Sequence, residues 1–153
     1  MFARYDMGKA AIDELQSLGT GFTVQRVTVP GIKDIPVASL NLIRESGCDI
    51  IVALGMPGKE KLDKMSAIVA SMGIMQIQLL TGKHVLEVFV HEEEAGSEQE
   101  LAALIDRRAR DHAKNAYMLL FHPEHLTKMA GMGVRQGYED AGPLTGSKGG
   151  IRH

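Results

Sequence analysis

Apolar positions along this chain switch repeatedly between a helical period and short apolar runs. Over residues 6–18, Met7, Ala10, Ala11, Ile12, Leu15 and Leu18 recur near helical spacing, and Gly19 follows where a helix would be capped. Residues 22–29 are rich in β-branched side chains and partly alternate, which predicts a strand stopped by Pro30-Gly31. Asp34 then stands as an N-cap, with Pro36 in the first turn of a helix reaching about Ser46-Gly47. Residues 48–54 are apolar apart from Asp49 and lie between Gly47 and Gly55, the pattern of a strand buried on both faces. The loop Gly55-Met56-Pro57-Gly58-Lys59 leads into a helix predicted over 63–81, with Gly82 as its stop, and 85–90 predict a third strand. Ser97-Glu98-Gln99-Glu100 has the form of a capping box and opens a helix running to about Phe121, which His122-Pro123 breaks. A short helical stretch follows, and then a Gly-rich segment from Gly131 to His153 expected to be ordered only in part.

The predicted order is therefore α-β-α-β-α-β-α, which implies a parallel sheet covered by helices on both faces. In such sheets ligands bind outside the carboxyl ends of the strands. The loops 30–34, 55–62 and 91–97 lie at that edge, and Phe2-Ala3-Arg4 would join them if a strand preceded it. Composition narrows the partners. At 153 residues and 44% hydrophobic, the chain is long and apolar enough to fold as one domain, so disorder as its main state is excluded. A formal charge of −2 supplies no basic field for nucleic acid. Cys48 is alone, so no internal disulfide forms and no zinc spacing exists, which fits a reducing cytoplasm. The longest apolar run, 116–121, is far below the ~20 residues of a membrane span. Arg4, Asp6, Lys9, Asp13 and Glu14 are no signal-peptide pattern.

Each piece of this edge has an ordinary reading beside a chemical one. Pro30-Gly31 is a turn and Asp34 a cap on local statistics alone. Gly55 to Lys59 can turn backbone amides toward a ligand, but the spacing of a nucleotide P-loop is absent. His91 stands beside Glu92, Glu93 and Glu94; an adjacent carboxylate suits an imidazole to proton transfer, whereas Glu93 and Glu94 read better as an acidic helix lead-in. Arg107, Arg108, Arg110 and Lys114 are interleaved with Asp106 and Asp111, a solvated and self-paired face. Met65, Met72 and Met75, at helical spacing, read as core filler or an adaptable interface. Phe2 is an aromatic able to stack on a planar heterocycle.

Five segments together resemble the archaeal-type riboflavin synthases, relatives of lumazine synthase. They are Phe2-Ala3-Arg4-Tyr5-Asp6-Met7, Thr28-Val29-Pro30-Gly31-Ile32-Lys33-Asp34-Ile35-Pro36, Ala53-Leu54-Gly55-Met56-Pro57-Gly58-Lys59, Leu86 through Glu94, and Met129-Ala130-Gly131 through Ala141-Gly142-Pro143. The resemblance implies a flavodoxin-like three-layer α/β sandwich with a parallel sheet, one domain over 1–143 and a flexible tail over 144–153. It also implies a hydrophobic first strand ahead of Phe2, which is expected to be missing from this chain, where Met1 stands directly in front of Phe2. The implied reaction is the dismutation of two molecules of 6,7-dimethyl-8-ribityllumazine by transfer of a four-carbon unit, giving riboflavin and 5-amino-6-ribitylamino-2,4-pyrimidinedione. A cytoplasmic homopentamer with active sites between subunits is expected, with no tightly bound cofactor, magnesium as the one associated ion, and neither nucleic acid nor membrane as partner.

Carried over by position, Phe2 would stack on a pteridine ring with Ala3 and Arg4 beside it. Ile32, Lys33 and Asp34 would line the ribityl chain, Met56, Pro57, Gly58 and Lys59 would meet the pyrimidine edge, and His91 and Glu92 would flank the second ring. Asp63 and Lys64 lie near the place where lumazine synthases carry a proton-transferring His, and Ile68-Val69 stand where polar residues are expected. His91, Lys64 and Asp63 are the catalytic candidates. The alternatives are lumazine synthase itself, for which Arg108 and His112 are the only candidate phosphate ligands, and a non-catalytic lumazine- or flavin-binding pentamer.

Overall fold

A computed structural model of the chain describes residues 3–135 and 139–144. Its elements are α1 (Met7–Leu18), a 3-10 turn (Ile32–Asp34), α2 (Ile35–Arg44), β1 (Ile51–Gly55), α3 (Lys61–Thr81), β2 (Val85–Phe89), a second 3-10 turn (Glu92–Glu94), α4 (Glu98–Phe121) and α5 (Pro123–Met129). β1 and β2 run parallel, Ile51 opposite Val85 and Gly55 opposite Phe89. The period-two alternation of side chains then builds two cores. On one face Val88 and Val90, with Val52 and Leu54 beside them, pack against Met7 and Ala10 of α1 and Leu101, Ile105 and Ala109 of α4. On the other, Ile51, Ala53 and Val85 meet Ile74 and Ile77 of α3 and Leu40 and Ile43 of α2. This is the expected layered α/β arrangement.

The helix ends follow local chemistry. An Asp6 carboxylate oxygen accepts from the Lys9 N–H at 2.9 Å and starts α1. Gly82, at φ 66°, ends α3 in the left-handed region that glycine enters without steric cost. At α4 the Ser97 hydroxyl accepts from the Glu100 N–H at 3.2 Å, but the Glu100 carboxylate takes the Gly96 N–H at 3.0 Å, not that of Ser97. The reciprocal half of the expected box is thus displaced by one residue. Asp34 occupies the cap position of α2 without a side-chain cap bond, because it ends a 3-10 turn in which its own N–H bonds to Gly31 O at 3.0 Å. α2 stops at Arg44, before the predicted Ser46-Gly47.

Two expectations are corrected. Residues 22–29 are extended but belong to no strand, and the sheet has two members, β1 and β2, among the described residues. A cavity of about 1070 Å³ is lined both by this segment and by β1, so the segment has no neighbour within ladder spacing and most of it is exposed. Met65, Met72 and Met75 are not core filler: each is more than half exposed on the outer face of α3. The tail expected over 144–153 lies, Leu144 apart, outside the described residues.

Gly55 joins the carboxyl ends of the elements. A Cβ there would stand 2.7 Å from Cδ1 of Phe89 and 3.3 Å from Cδ1 of Ile32. Gly55→Ala is expected to cost about 1–3 kcal/mol through overpacking. Chemical denaturation reads this directly, and adding Phe89→Leu should recover part of the loss if the ring contact is its cause.

Candidate functional site

The carboxyl edge of β1 and β2 gathers most of the anticipated residues, and a few bonds fix their relation. The Glu92 N–H donates to Pro57 O at 3.3 Å and ties the loop after β2 to the loop after β1. Arg4 reaches both Glu92, at 3.8 Å, and Glu98, bringing the lead-in of α1 onto the same edge. Ile32 reaches Gly55 from the third side. Pro57 is buried, and a Cβ on Gly58 would displace the Asp63 carboxylate, which accepts the Glu60 N–H.

Two cavities open at or beside this edge. The larger, already described, takes Ala3, Arg4, Ile32, Gly55 and Met56. The smaller, about 640 Å³, lies beyond β2 between α3 and α4, and takes Lys64, Ser71, Glu87, His91, Arg108 and His112. Thus His91 and Lys64 meet, whereas Ala3, Arg4, Ile32 and Met56 line a different cavity. Lys33, Asp34, Pro57, Gly58, Lys59, Asp63 and Glu92 line neither, and Phe2 lies outside the described residues. Asp63 is held in place by the start of α3, its carboxylate accepting the Glu60 N–H at 3.3 Å.

Around His91 the polar groups are matched with one exception. Its N–H donates to Glu94 at 2.8 Å, and Glu94 pairs with Arg108 at 2.7 Å. Arg108 also donates to Phe89 O at 3.3 Å, so it closes part of the free edge of β2. Burial works to raise the Glu94 pKa, but the Arg108 guanidinium and the His91 N–H outweigh it and hold the group below its ordinary value. Lys64 pairs with Glu93 at 2.6 Å. Ser71 donates to Glu87 at 2.8 Å, and the His112 ring Nδ1 lies 2.9 Å from Arg108 O. The exception is Nδ1 of His91, which is buried with no hydrogen-bond partner among the described residues. An unmatched buried ring nitrogen costs about 1–3 kcal/mol, and the residue itself lines the smaller cavity.

The sequence pattern puts Arg107, Arg108, Arg110 and Lys114 on a solvated, self-paired face. That holds for Arg110, which bonds Asp106 one turn away at 2.8 Å. It fails for Arg108, whose partner Glu94 lies in a loop fourteen positions earlier. Ser71 and Glu87 were missed entirely; a lone charge inside the apolar run of β2 was the available signal. Among the described residues no group of three or more His, Cys, Asp or Glu side chains is arranged to hold a metal ion. Nor is any described helix long and apolar enough to cross a membrane.

Residues 2–123 match the family of 6,7-dimethyl-8-ribityllumazine synthase. The chain is also 57% identical over 143 residues to a riboflavin synthase of Methanothermobacter marburgensis, covering 94% of each chain. It is 58% identical, with the same coverage, to that of Methanothermobacter thermautotrophicus. The riboflavin synthase of Archaeoglobus fulgidus is 48% identical, over 94% of this chain and 93% of its own.

Proposed function

This chain belongs to the 6,7-dimethyl-8-ribityllumazine synthase family, and we propose that it acts as a riboflavin synthase of the archaeal type. The observation that carries this reading is near-complete coverage at up to 58% identity to chains that bear that activity in their name. The enzyme takes two molecules of 6,7-dimethyl-8-ribityllumazine and moves a four-carbon unit from one to the other, releasing riboflavin and 5-amino-6-ribitylamino-2,4-pyrimidinedione. The ring methyl of the substrate is already acidic, so most of the acceleration comes from holding two flat molecules face to face. His91, whose side chain lines the smaller cavity, takes and returns the proton at that methyl. Lys64, paired with Glu93, donates to the ring being dismantled. Asp63 shapes the loop beneath Gly58 and leaves proton transfer to the other two.

Phe2, Ala3 and Arg4 receive the aromatic ring; Ile32, Lys33 and Asp34 take the ribityl chain; Met56, Pro57, Gly58 and Lys59 meet the pyrimidine edge, with Glu92 at the second ring. The reaction as written consumes no flavin or nicotinamide. The described side chains offer magnesium no ligand set, so no step is assigned to it. Arg108, occupied by Glu94 and Phe89 O, is poorly placed to bind the phosphate that a lumazine synthase would need.

An exposed apolar face supports the same reading. Leu62, Met65, Ile68, Val69, Met72, Met75 and Leu79 are each more than half exposed along α3, a continuous apolar stripe in water. A second copy on this stripe would stand next to the cavity that Lys64 and Ile68 line, placing the site between subunits of a cytoplasmic homopentamer. Incubation with 6,7-dimethyl-8-ribityllumazine alone, with and without magnesium, should yield riboflavin and the pyrimidinedione in equal amounts. Tight binding without either product would instead mark a lumazine-binding protein.

A further inference from the structure

β2 presents one carboxylate and its outer backbone edge to the smaller cavity, and the reaction steps given above use neither. The side chains of Val85, Glu87 and Phe89 share one face of the strand, and Val85 and Phe89 pack into the apolar cluster there. Glu87 stands between them, half-buried, in a place where strands seldom carry a charge. Its Oε1 accepts from the Ser71 hydroxyl at 2.8 Å, and no cation pairs with it among the described residues. A desolvated carboxylate with one neutral donor is a net cost to the fold. Ser71 is not a committed partner either. Its hydroxyl also lies 3.0 Å from Ala67 O, and a hydroxyl has one hydrogen to give. When a ligand hydroxyl takes over the carboxylate, Ser71 can turn back to α3 and leave no donor unmatched.

The backbone edge beside it is short and closed at both ends. In a parallel pair, alternate residues turn their N–H and C=O groups to opposite edges. The Ile51 N–H donates to His84 O and the Val90 N–H to Gly55 O, so Val85, Glu87 and Phe89 face away from β1. Gln78 takes the Val85 N–H at 3.1 Å, and Arg108 holds Phe89 O at 3.3 Å. Between these two plugs the Glu87 N–H and C=O and the Phe89 N–H stay open among the described residues. An added strand would lose its ladder at either end. A polyhydroxy chain needs no ladder: each hydroxyl both donates and accepts, as a mixed edge and a carboxylate require. The cavity, about 640 Å³, has the size of a small-molecule site. His91 lines it too, about 13 Å along the strand from Glu87. A ring at His91 thus leaves room for an extended chain to run down β2 to the carboxylate.

We infer that Ser71, Glu87 and the open edge of β2 form a polyol subsite, which takes the ribityl chain of the second substrate molecule while its ring lies at His91. Ile32, Lys33 and Asp34 serve the first chain, and Glu87 serves the second. Glu87 is then a specificity-determining residue and takes no part in proton transfer. This assignment rests on the reading of the site as one for ribityllumazine.

Binding of two unreactive analogues tests it. 8-Ribityllumazine without the two ring methyls cannot pass on the four-carbon unit, and 8-pentyllumazine is its hydroxyl-free counterpart. Titration of the full chain should show two ribityl analogues bound per chain. Glu87→Leu should weaken one of them on the order of 10–100-fold, the loss of a charged hydrogen bond, and leave the pentyl analogue as in the parent. The variant should melt at or above the parent, since a carboxylate leaves an apolar strand. Should Glu87→Leu fail to fold, Glu87→Gln keeps the shape and reads the same loss. Variants that bind both analogues like the parent overturn the subsite. Equal weakening of both analogues also overturns it, because Glu87 would then shape the cavity without reading hydroxyls. A parent that makes riboflavin while its variants bind unchanged separates this failure from failure of the proposed reaction. Loss confined to the ribityl analogue, in a parent that makes no riboflavin, would leave the subsite standing and remove the reaction instead.

Discussion

Replacing His91 with alanine should lower the kcat of riboflavin formation by about 10²–10⁴-fold, the range of one lost acid–base group, while KM changes little. The change leaves the backbone N–H that donates to Glu94, so the turn at Glu92–Glu94 keeps its anchor. It also removes Nδ1, a buried nitrogen with no partner among the described residues. Losing the ring's packing is therefore offset by losing a desolvated, unmatched polar atom, a group whose burial costs about 1–3 kcal/mol. Activity and stability should separate: a collapse in turnover with a melting temperature that moves little. A merely structural histidine would give the opposite pattern. Initial rates followed by riboflavin absorbance, set beside thermal unfolding, make the test, and partial recovery on adding free imidazole would assign the lost function to the ring. Turnover within threefold of the parent would remove His91 from the mechanism.

The parts of this molecule that the sequence discloses are those decided locally. α3 and α4 carry their starts and stops within a few residues: Ser97 caps one and Gly82 ends the other. The run before Gly55 and the run after His84 are short and apolar, as strands covered on both faces must be. Residues 22–29 have equally good strand chemistry and fail to form one, because a strand exists only where a second edge lies about 4.8 Å away. No local pattern reports that distance. The methionines of α3 fail for a related reason: a helical period says which side chains share a face, but not whether the face meets its own sheet or another chain. At the site, the loops after β1 and β2 could be placed from topology alone. Which cavity each residue lines depended on long-range pairs such as Arg108 with Glu94, and these leave no trace in spacing.

That pair carries the second large effect. Arg108 and Glu94 are each about three-quarters to two-thirds covered, and the guanidinium also holds Phe89 O at the free edge of β2. In an Arg108→Met variant the edge carbonyl loses its donor, and the Glu94 pKa rises because burial is then opposed by His91 alone. The expected loss at pH 7 is roughly 1–2 kcal/mol, reduced by partial solvent screening from the full strength of a charged hydrogen bond. The pH dependence follows from the direction of the shift. A carboxyl held below its ordinary value of 4.5 stabilises the fold above that pH, and the contribution disappears as pH falls through the lower folded value. The parent should therefore lose stability on acidification in that window, while the variant shows a flatter acid limb. The two denaturation midpoints should converge as pH falls through the parent's lowered folded value, where the carboxyl becomes neutral in both. A gap between parent and variant that stays constant from pH 7 to pH 3 would show that the edge carbonyl and side-chain packing, not the ion pair, account for the loss. Because Glu94 also receives the His91 N–H, the same variant should raise KM or lower kcat at neutral pH, coupling the closed edge of the sheet to the placement of the ring.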